Sequence, residues 1–240
     1  MLHKTRGIVF RTVQYSDTSL IAKIYTEKFG LRSYIIRAIK GKKSASKTGL
    51  LQHLSLLNLL VYEKDRGGIQ NIKEMEIAFP FRSIPFDFIK SAVLLYLNEV
   101  LYKAIHEEET NQPLFDYIFD SLTYLDETSG GIENYHLYFT LGLTKYLGFY
   151  PRNNFTEQKE YFDLREGLFV ENRPFHNNFM EPLLSRKFNQ MLDFETSQLS
   201  LFENSGERNV MLSNLLDYFK LHVPGFIEIK SLPVLQQVLR

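Results

Sequence analysis

The stretch SLIAKIYTEKFGLRSYIIRA, residues 19–38, decides the fold of the first part of the chain. Leu20, Ala22 and Ile24 alternate with Lys23 and Tyr25, a period of two that gives a strand with one dry and one polar face. Glu27-Lys28-Phe29-Gly30 supplies a short connection in which Gly30 can take the positive φ that tight hairpins need, and LRSYIIRA (31–38) returns as the next strand. Outward from this pair, GIVFRTV (7–13) is equally rich in β-branched and aromatic residues. LSLLNLLVY (54–62) and residues 69–78 flank a hairpin signal built on Gly67-Gly68. Five strands in the first 80 residues, all read as antiparallel, predict a small closed barrel of the OB or SH3-like kind.

After Pro80 and Pro85 the apolar period changes to 3.6. Phe88, Ala92, Leu95, Glu99 and Tyr102 form one stripe and Leu94, Leu97, Leu101 and Ile105 its neighbour, which predicts a helix over 87–107. Pro113 opens a second helix to about 125, and a third over 132–147 ends at Gly148 and Pro151. Across 149–178 the helical period lapses, and YFDLREGLF (161–169) reads as a small hairpin. Helical pattern returns over 182–194, over 207–222 and after Pro233. The expected class is α+β: a five-stranded OB-like barrel over residues 1–80, then an all-α domain over 81–240 that carries a small irregular insertion at 149–178.

Composition narrows the chemistry. The 240 residues include no cysteine, which excludes disulfides, cysteine-ligated zinc or iron–sulfur sites and a thiol nucleophile, and fits a reducing compartment. No apolar run stands behind the N-terminal charges, and the longest uncharged window, residues 48–62, falls short of the roughly 20 residues that span a bilayer. The expectation is a cytoplasmic protein without membrane contact. The formal charge of zero hides an asymmetry: residues 1–47 hold eleven basic groups against Asp17 and Glu27, a net of +9, and the rest of the chain carries −9. Such an imbalance points to a polyanion-binding module joined to an acidic one.

The candidate phosphate contacts are Lys4, Arg6, Arg11, Lys23, Lys28, Arg32 and Arg37, together with Lys40, Lys42, Lys43 and Lys47 around GKKSASKTG (41–49), because each neutralised phosphate releases condensed counterions. Tyr15, Tyr25, Phe29 and Tyr34 lie among these cations and are candidates for stacking on bases, with core packing as the competing role for each. No phosphate-binding glycine loop, nucleophile elbow, HExxH or dinucleotide fingerprint occurs. The six histidines are scattered, and Glu107-Glu108-Glu109 reads as a solvated helix end. The expectation is a non-catalytic protein with no cofactor and no metal. The Tyr- and Phe-rich third helix can be core or can frame a groove for a partner peptide.

Several short motifs, in order, resemble the bacterial RecO family. They are Gly7-Ile8-Val9, the Tyr15-Ser16-Asp17 turn, Thr26 with Phe29-Gly30, the basic stretch 38–47 ahead of Leu50-Leu51, and Tyr218-Phe219 followed by Lys230-Ser231 and Val234-Leu235. The resemblance runs from end to end. It implies an N-terminal OB-fold joined to a helical domain, acting as a recombination mediator in DNA repair. It further implies binding to single- and double-stranded DNA, annealing of complementary strands, and a place at the nucleoid. The implied partners are RecR and the acidic C-terminal tail of the single-stranded-DNA-binding protein, with RecA loaded as the indirect result. For that tail the third helix offers Tyr138, Leu141, Lys145 and Tyr146, with Leu101 or Ile105 closing the pocket. The chain departs from the family in one respect. Many members carry four cysteines forming a zinc site in the segment corresponding to 149–178, and here only His176 is present among the usual zinc-finger ligands. Packing of Phe155, Tyr161, Phe162, Leu168 and Phe169 onto the helices is expected to fix this segment instead. A competing function is a scaffold whose basic barrel docks an acidic protein without touching DNA, and a lesser one is a metal-dependent nucleic-acid enzyme. Salt-dependent oligonucleotide binding separates the first from DNA binding, and metal-dependent product formation detects the second.

Overall fold

The computed structural model describes residues 1–37, 49–63, 68–106, 108–193, 201–202 and 204–240. These form two compact units, Met1–Glu127 and Thr128–Arg240. The strands of the barrel end at Phe79, and the compact unit that contains them runs on through the next two helices to Glu127.

In the first unit, β1 (Leu2–Ser16), β2 (Ser19–Thr26), β3 (Gly30–Arg37), β4 (Leu56–Tyr62) and β5 (Ile69–Phe79) close a barrel in the order β1-β2-β3-β5-β4. One expectation is corrected here. The strands are not all antiparallel, because β3 and β5 run parallel through the short ladder Ser33–Ile69 to Ile35–Asn71. That long-range pairing lets a five-stranded Greek-key sheet close on itself, as in an OB-fold. The interior is filled by Val9, Leu20, Ala22, Ile24, Tyr34, Ile36, Leu51, Leu57, Leu59 and Val61. Burial at roughly 25 cal/mol per Å² of apolar surface makes this cluster the main stabilising contribution to the barrel. Gly7 lies inside the wall, where a Cβ would come within 2.6 Å of Leu59 and 2.7 Å of Ile24.

A β-bulge between Val9 and Arg11 changes the parity of β1. Before it, Thr5, Gly7 and Val9 face inward; after it, Thr12 pairs with the interior Ala22, and Arg11 faces out opposite Lys23. The extra residue, Phe10, is buried and stacks on Tyr25 at 5.7 Å. Tyr25 in turn meets Phe115 of the second helix at 6.1 Å, so this outer face of the barrel is covered by helices.

Helix α1 (Phe88–Ala104) follows a 3-10 turn at Ile84–Phe86, and α2 (Gln112–Glu127) completes the unit. The Asp87 side chain accepts from the backbone N–H of Ile89 and Lys90, the ordinary N-cap arrangement. Asp126, near the end of α2, accepts backbone hydrogen bonds from Arg82, Ser83 and Ile84 at 2.9 Å each, while its carbonyl takes the buried Lys90 ammonium at 2.9 Å. This knot fixes the turn that leads from the barrel into α1.

The second unit contains α3 (Tyr135–Tyr146), a three-stranded sheet of β6 (Tyr161–Asp163), β7 (Leu168–Val170) and β8 (Phe179–Met180), then α4 (Pro182–Leu192), α5 (Ser205–His222) and α6 (Leu232–Val238). The sheet order is β7-β6-β8, so the segment expected as a hairpin gains a third, two-residue strand. Phe162 is fully buried, 4.9 Å from Phe169, 4.6 Å from Phe188 of α4 and 6.0 Å from Tyr218 of α5. Phe155 meets Phe169 edge-on at 5.3 Å. The Asn154 side chain exchanges two hydrogen bonds with the Phe169 backbone, 3.0 and 2.9 Å, acting as a strand partner for one residue. Of the five residues expected to pack onto the helices, Phe162 and Phe169 do so, while Phe155 packs on Phe169 and Tyr161 on Phe179, within the insertion itself. Tetrahedral zinc does not fit the residues present: there is no cysteine, and both ring nitrogens of His176 are engaged, one 3.1 Å from Asp163 and the other accepting from the Asn178 N–H.

Candidate nucleic-acid interface

The twelve residues picked out by the basic N-terminal sequence meet different fates. Lys40, Lys42, Lys43 and Lys47 lie outside the described residues. Lys4, Arg11, Lys23, Lys28 and Arg37 are exposed, and none of the five makes an ion pair with a carboxylate among the described residues. The remaining three are corrections.

Arg6 is tied into the structure. Its guanidinium meets Glu27 through two nitrogens at 3.1 and 3.0 Å and Asp116 at 2.9 Å, and it lies 5.0 and 4.9 Å from the Phe115 and Phe119 ring centres. Hydrogen bonding to Arg6 holds the Glu27 carboxyl below its ordinary range, against the opposing effect of burial. Arg32 sits opposite the interior Ile24 at the barrel mouth, where Glu63 at 2.9 Å and the Glu108 carbonyl at 2.8 Å occupy it. Tyr34 is wholly buried among the barrel residues and has no ring face for a base. Burial, reinforced by the charge of Glu63, pushes its hydroxyl pKa well above the usual tyrosine value. Of the other aromatic candidates, Tyr25 is buried, Phe29 is half-buried against His3 at 5.3 Å, and Tyr15 is exposed at the β1–β2 turn.

The exposed cations fall at three places. Arg11 and Lys23 are directly opposed across β1 and β2, and both reach the Tyr102 ring of α1, at 5.3 and 5.6 Å from its centre. Arg11 also donates to the Tyr102 hydroxyl at 3.0 Å. Like charges set opposite each other on a sheet repel, and the electron-rich ring face only partly offsets this. A phosphate between the two heads would remove the repulsion. At the second place, Arg37 shares a groove of about 730 Å³ with Lys73 and the 44 % exposed Tyr62, along the opening where β3 and β5 part. At the third, Lys4 and Lys28 line a groove of similar size in which Glu74, Glu76 and Glu27 offset them.

Sequence reading missed Tyr102, Tyr62 and Lys73. Tyr102 carried only a helical-stripe signal, and its partnership with Arg11 depends on the bulge. Tyr62 alternates outward on its strand, a signal that marks exposure but not a shared groove, and Lys73 is the extra residue at a register shift in β5 that has no local signal.

The residues expected at a partner pocket divide between the units. Leu101 and Ile105 are interior to the first unit, 0 and 2 % exposed, and so are core residues and not an open wall. On α3 of the second unit, Leu141 is buried, Tyr138 and Tyr146 are half-buried and Lys145 is exposed. Among the described residues no three His, Asp or Glu side chains converge as a metal site, and no helix is long and apolar enough to cross a membrane.

Comparison with known proteins covers both units. The family model described as recombination protein O N-terminal matches residues 1–81, and the one described as recombination protein O C-terminal matches 85–224. A protein of Phocaeicola vulgatus called DNA repair protein RecO is 37 % identical over 239 residues, 99 % of each chain. One of the same name from Flavobacterium psychrophilum is 38 % identical over 98 % of each chain, and one from Bacteroides fragilis 36 % over 99 %.

Proposed function

This chain belongs to the RecO family of DNA repair proteins, and from that premise we propose that it is a non-catalytic recombination mediator whose barrel binds the phosphate backbone of single- and double-stranded DNA. The family carries a role in DNA repair and recombination. The observation that supports direct DNA binding is the Arg11–Lys23 pair, two like charges held 5.3 and 5.6 Å from the Tyr102 ring centre with no carboxylate partner among the described residues. A scaffold for an acidic protein would need neutralising contacts of defined shape. A row of mobile phosphates needs only exposed cations at intervals, which Lys4, Arg11, Lys23, Lys28 and Arg37 supply.

Binding two complementary strands on such a surface screens their mutual repulsion and favours annealing. Acting with RecR on DNA coated by the single-stranded-DNA-binding protein, the same surface would help RecA to load. The acidic tail of that coating protein docks on α3, with Lys145 facing its carboxylates and Tyr138 and Tyr146 its apolar end. The second part of the chain is acidic, 14 basic against 22 acidic residues over 80–240, so this contact must be local and weak, of micromolar order. The test is annealing of complementary oligonucleotides precoated with the cognate single-stranded-DNA-binding protein. Acceleration by the wild type and loss with Arg11→Glu plus Lys23→Glu is the expected result; equal acceleration by the doubly reversed variant removes that pair from the binding surface.

A further inference from the structure

The insertion in the second unit holds a cavity of about 660 Å³ that none of the foregoing uses, lined among others by Arg152, Lys159, Phe169, Arg173, Phe175 and His176. We propose that this cavity is a second nucleic-acid site, which seats one unpaired base of single-stranded DNA on Phe175 and its flanking phosphates on Arg152 and Lys159. The proposal rests on the DNA-binding reading of the family and adds a place and a strand preference to it.

Three features carry it. Phe175 is fully exposed, although a phenylalanine in water forgoes the stabilisation that burial would give. The backbone on either side of it is held, because Pro174 fixes its own φ and His176 is held by Asp163 at 3.1 Å and by the Asn178 N–H at 3.2 Å, while the ring itself stands free in solvent. An exposed aromatic ring offers the bare π-face on which a base stacks.

The second feature is charge. Arg152 and Lys159 line the cavity without an ion pair among the described residues, in a part of the chain that is acidic overall. Two carboxylates share the lining. Asp163 is occupied by His176 and by the backbone N–H groups of Arg165 and Glu166, which leaves Glu171 at the exposed edge. Arg173 is committed to Glu181 at 2.9 Å and to the Phe179 ring at 5.1 Å.

The third feature is size. The hollow is shallow and open to solvent, about 660 Å³, so that one nucleotide of a strand can lie across it. A paired base hides its faces in the stack, so the site would select single strands. An acidic peptide with an apolar end would suit the cations, but its side chain would need an enclosing apolar socket, and Phe175 stands in open water.

The chain contains no tryptophan, so Phe175→Trp in the full-length protein gives a single indole reporter at the cavity. Titration with oligothymidylate should quench its emission in step with the anisotropy of the labelled strand. An abasic strand of equal length should bind with little quenching. Arg152→Glu with Lys159→Glu should shift the quenching curve about tenfold to higher concentration, and Phe175→Ala should weaken binding of short single strands by a factor of about five or more while leaving duplex binding unchanged. Binding seen by anisotropy without any change in emission would overturn the proposal and leave DNA binding by the barrel intact. No binding by either readout would overturn both. Quenching by an acidic peptide and not by the oligonucleotide would assign the cavity to a protein partner and overturn the proposal.

Discussion

Arg6 and Arg11 stand on one strand, five residues apart, and identical substitutions should do opposite things. Arg6→Ala removes a guanidinium bound to Glu27 and Asp116 and packed near two phenylalanine rings. An exposed ion pair is worth about 0.2–1 kcal/mol and breaking a buried one costs about 3–5 kcal/mol. With side-chain exposures of 34 % for Arg6, 22 % for Glu27 and 45 % for Asp116, both pairs belong nearer the lower figure. Two ring contacts of about 0.5 kcal/mol each, and two carboxylates left facing one another, bring the total to about 2–3 kcal/mol. Arg11→Ala loses one hydrogen bond to Tyr102 and relieves repulsion from Lys23, so its stability change should be within about 0.5 kcal/mol. Urea denaturation gives the stabilities, and fluorescence anisotropy with a labelled single strand over a range of salt gives the contacts. Arg11→Ala should reduce the salt slope by about 0.7, one phosphate, while folded Arg6→Ala keeps the wild-type slope. If Arg6→Ala denatures at the wild-type midpoint and loses a phosphate from the slope, the assignment of Arg6 to a structural role is wrong.

Other substitutions probe the remaining parts. Gly30 has φ +63°, and a Cβ there would lie 2.3 Å from the Glu109 carbonyl oxygen, so Gly30→Ala should destabilise the first unit by about 2–4 kcal/mol in urea denaturation. Burial alone would raise the Asp126 pKa, but the backbone donors at Ile84, Arg82 and Ser83 outweigh it and hold the value below the ordinary aspartate range. The stability this supplies is present above the unfolded-state pKa and is lost as pH falls through the folded-state value; Asp126→Asn should therefore flatten the acid limb of stability against pH, and an unaltered limb would show that other carboxylates dominate it. Lys145→Glu should abolish binding of a labelled acidic, apolar-ended tail peptide to the full chain, and unchanged binding would move that site off α3.

Where the sequence was legible, a short local rule sufficed. Alternation over Leu20–Ile24 revealed the dry face of β2, and the 3.6 period from Phe88 to Tyr102 revealed α1. The burial of Tyr34 could also have been read, since it shares parity with Ile36 and its cross-strand partner is the small Ala22. Two decisive features had no local signal. The parallel β3–β5 ladder joins residues more than 30 positions apart, and nothing in either strand marks its direction. The bulge at Phe10 inserts one residue into a run that scans as ordinary strand, and it alone turns Arg11 outward to Lys23 and Tyr102. The +9 charge likewise announced a polyanion surface but could not tell Arg6 and Arg32, spent on Glu27 and Glu63, from the cations left in water.

The most direct measurement is the affinity of the full chain for single-stranded oligonucleotides of unrelated sequence between about 50 and 300 mM salt. Five exposed cations, Lys4, Arg11, Lys23, Lys28 and Arg37, at about 0.7 per phosphate give an expected slope of log K against log salt of −3.5 or steeper, alike for every sequence. Lys40, Lys42, Lys43 and Lys47 would steepen it, and reversing those four to Glu should remove only their share. A wild-type slope near zero, or binding confined to one sequence, would contradict a barrel that grips the phosphate backbone.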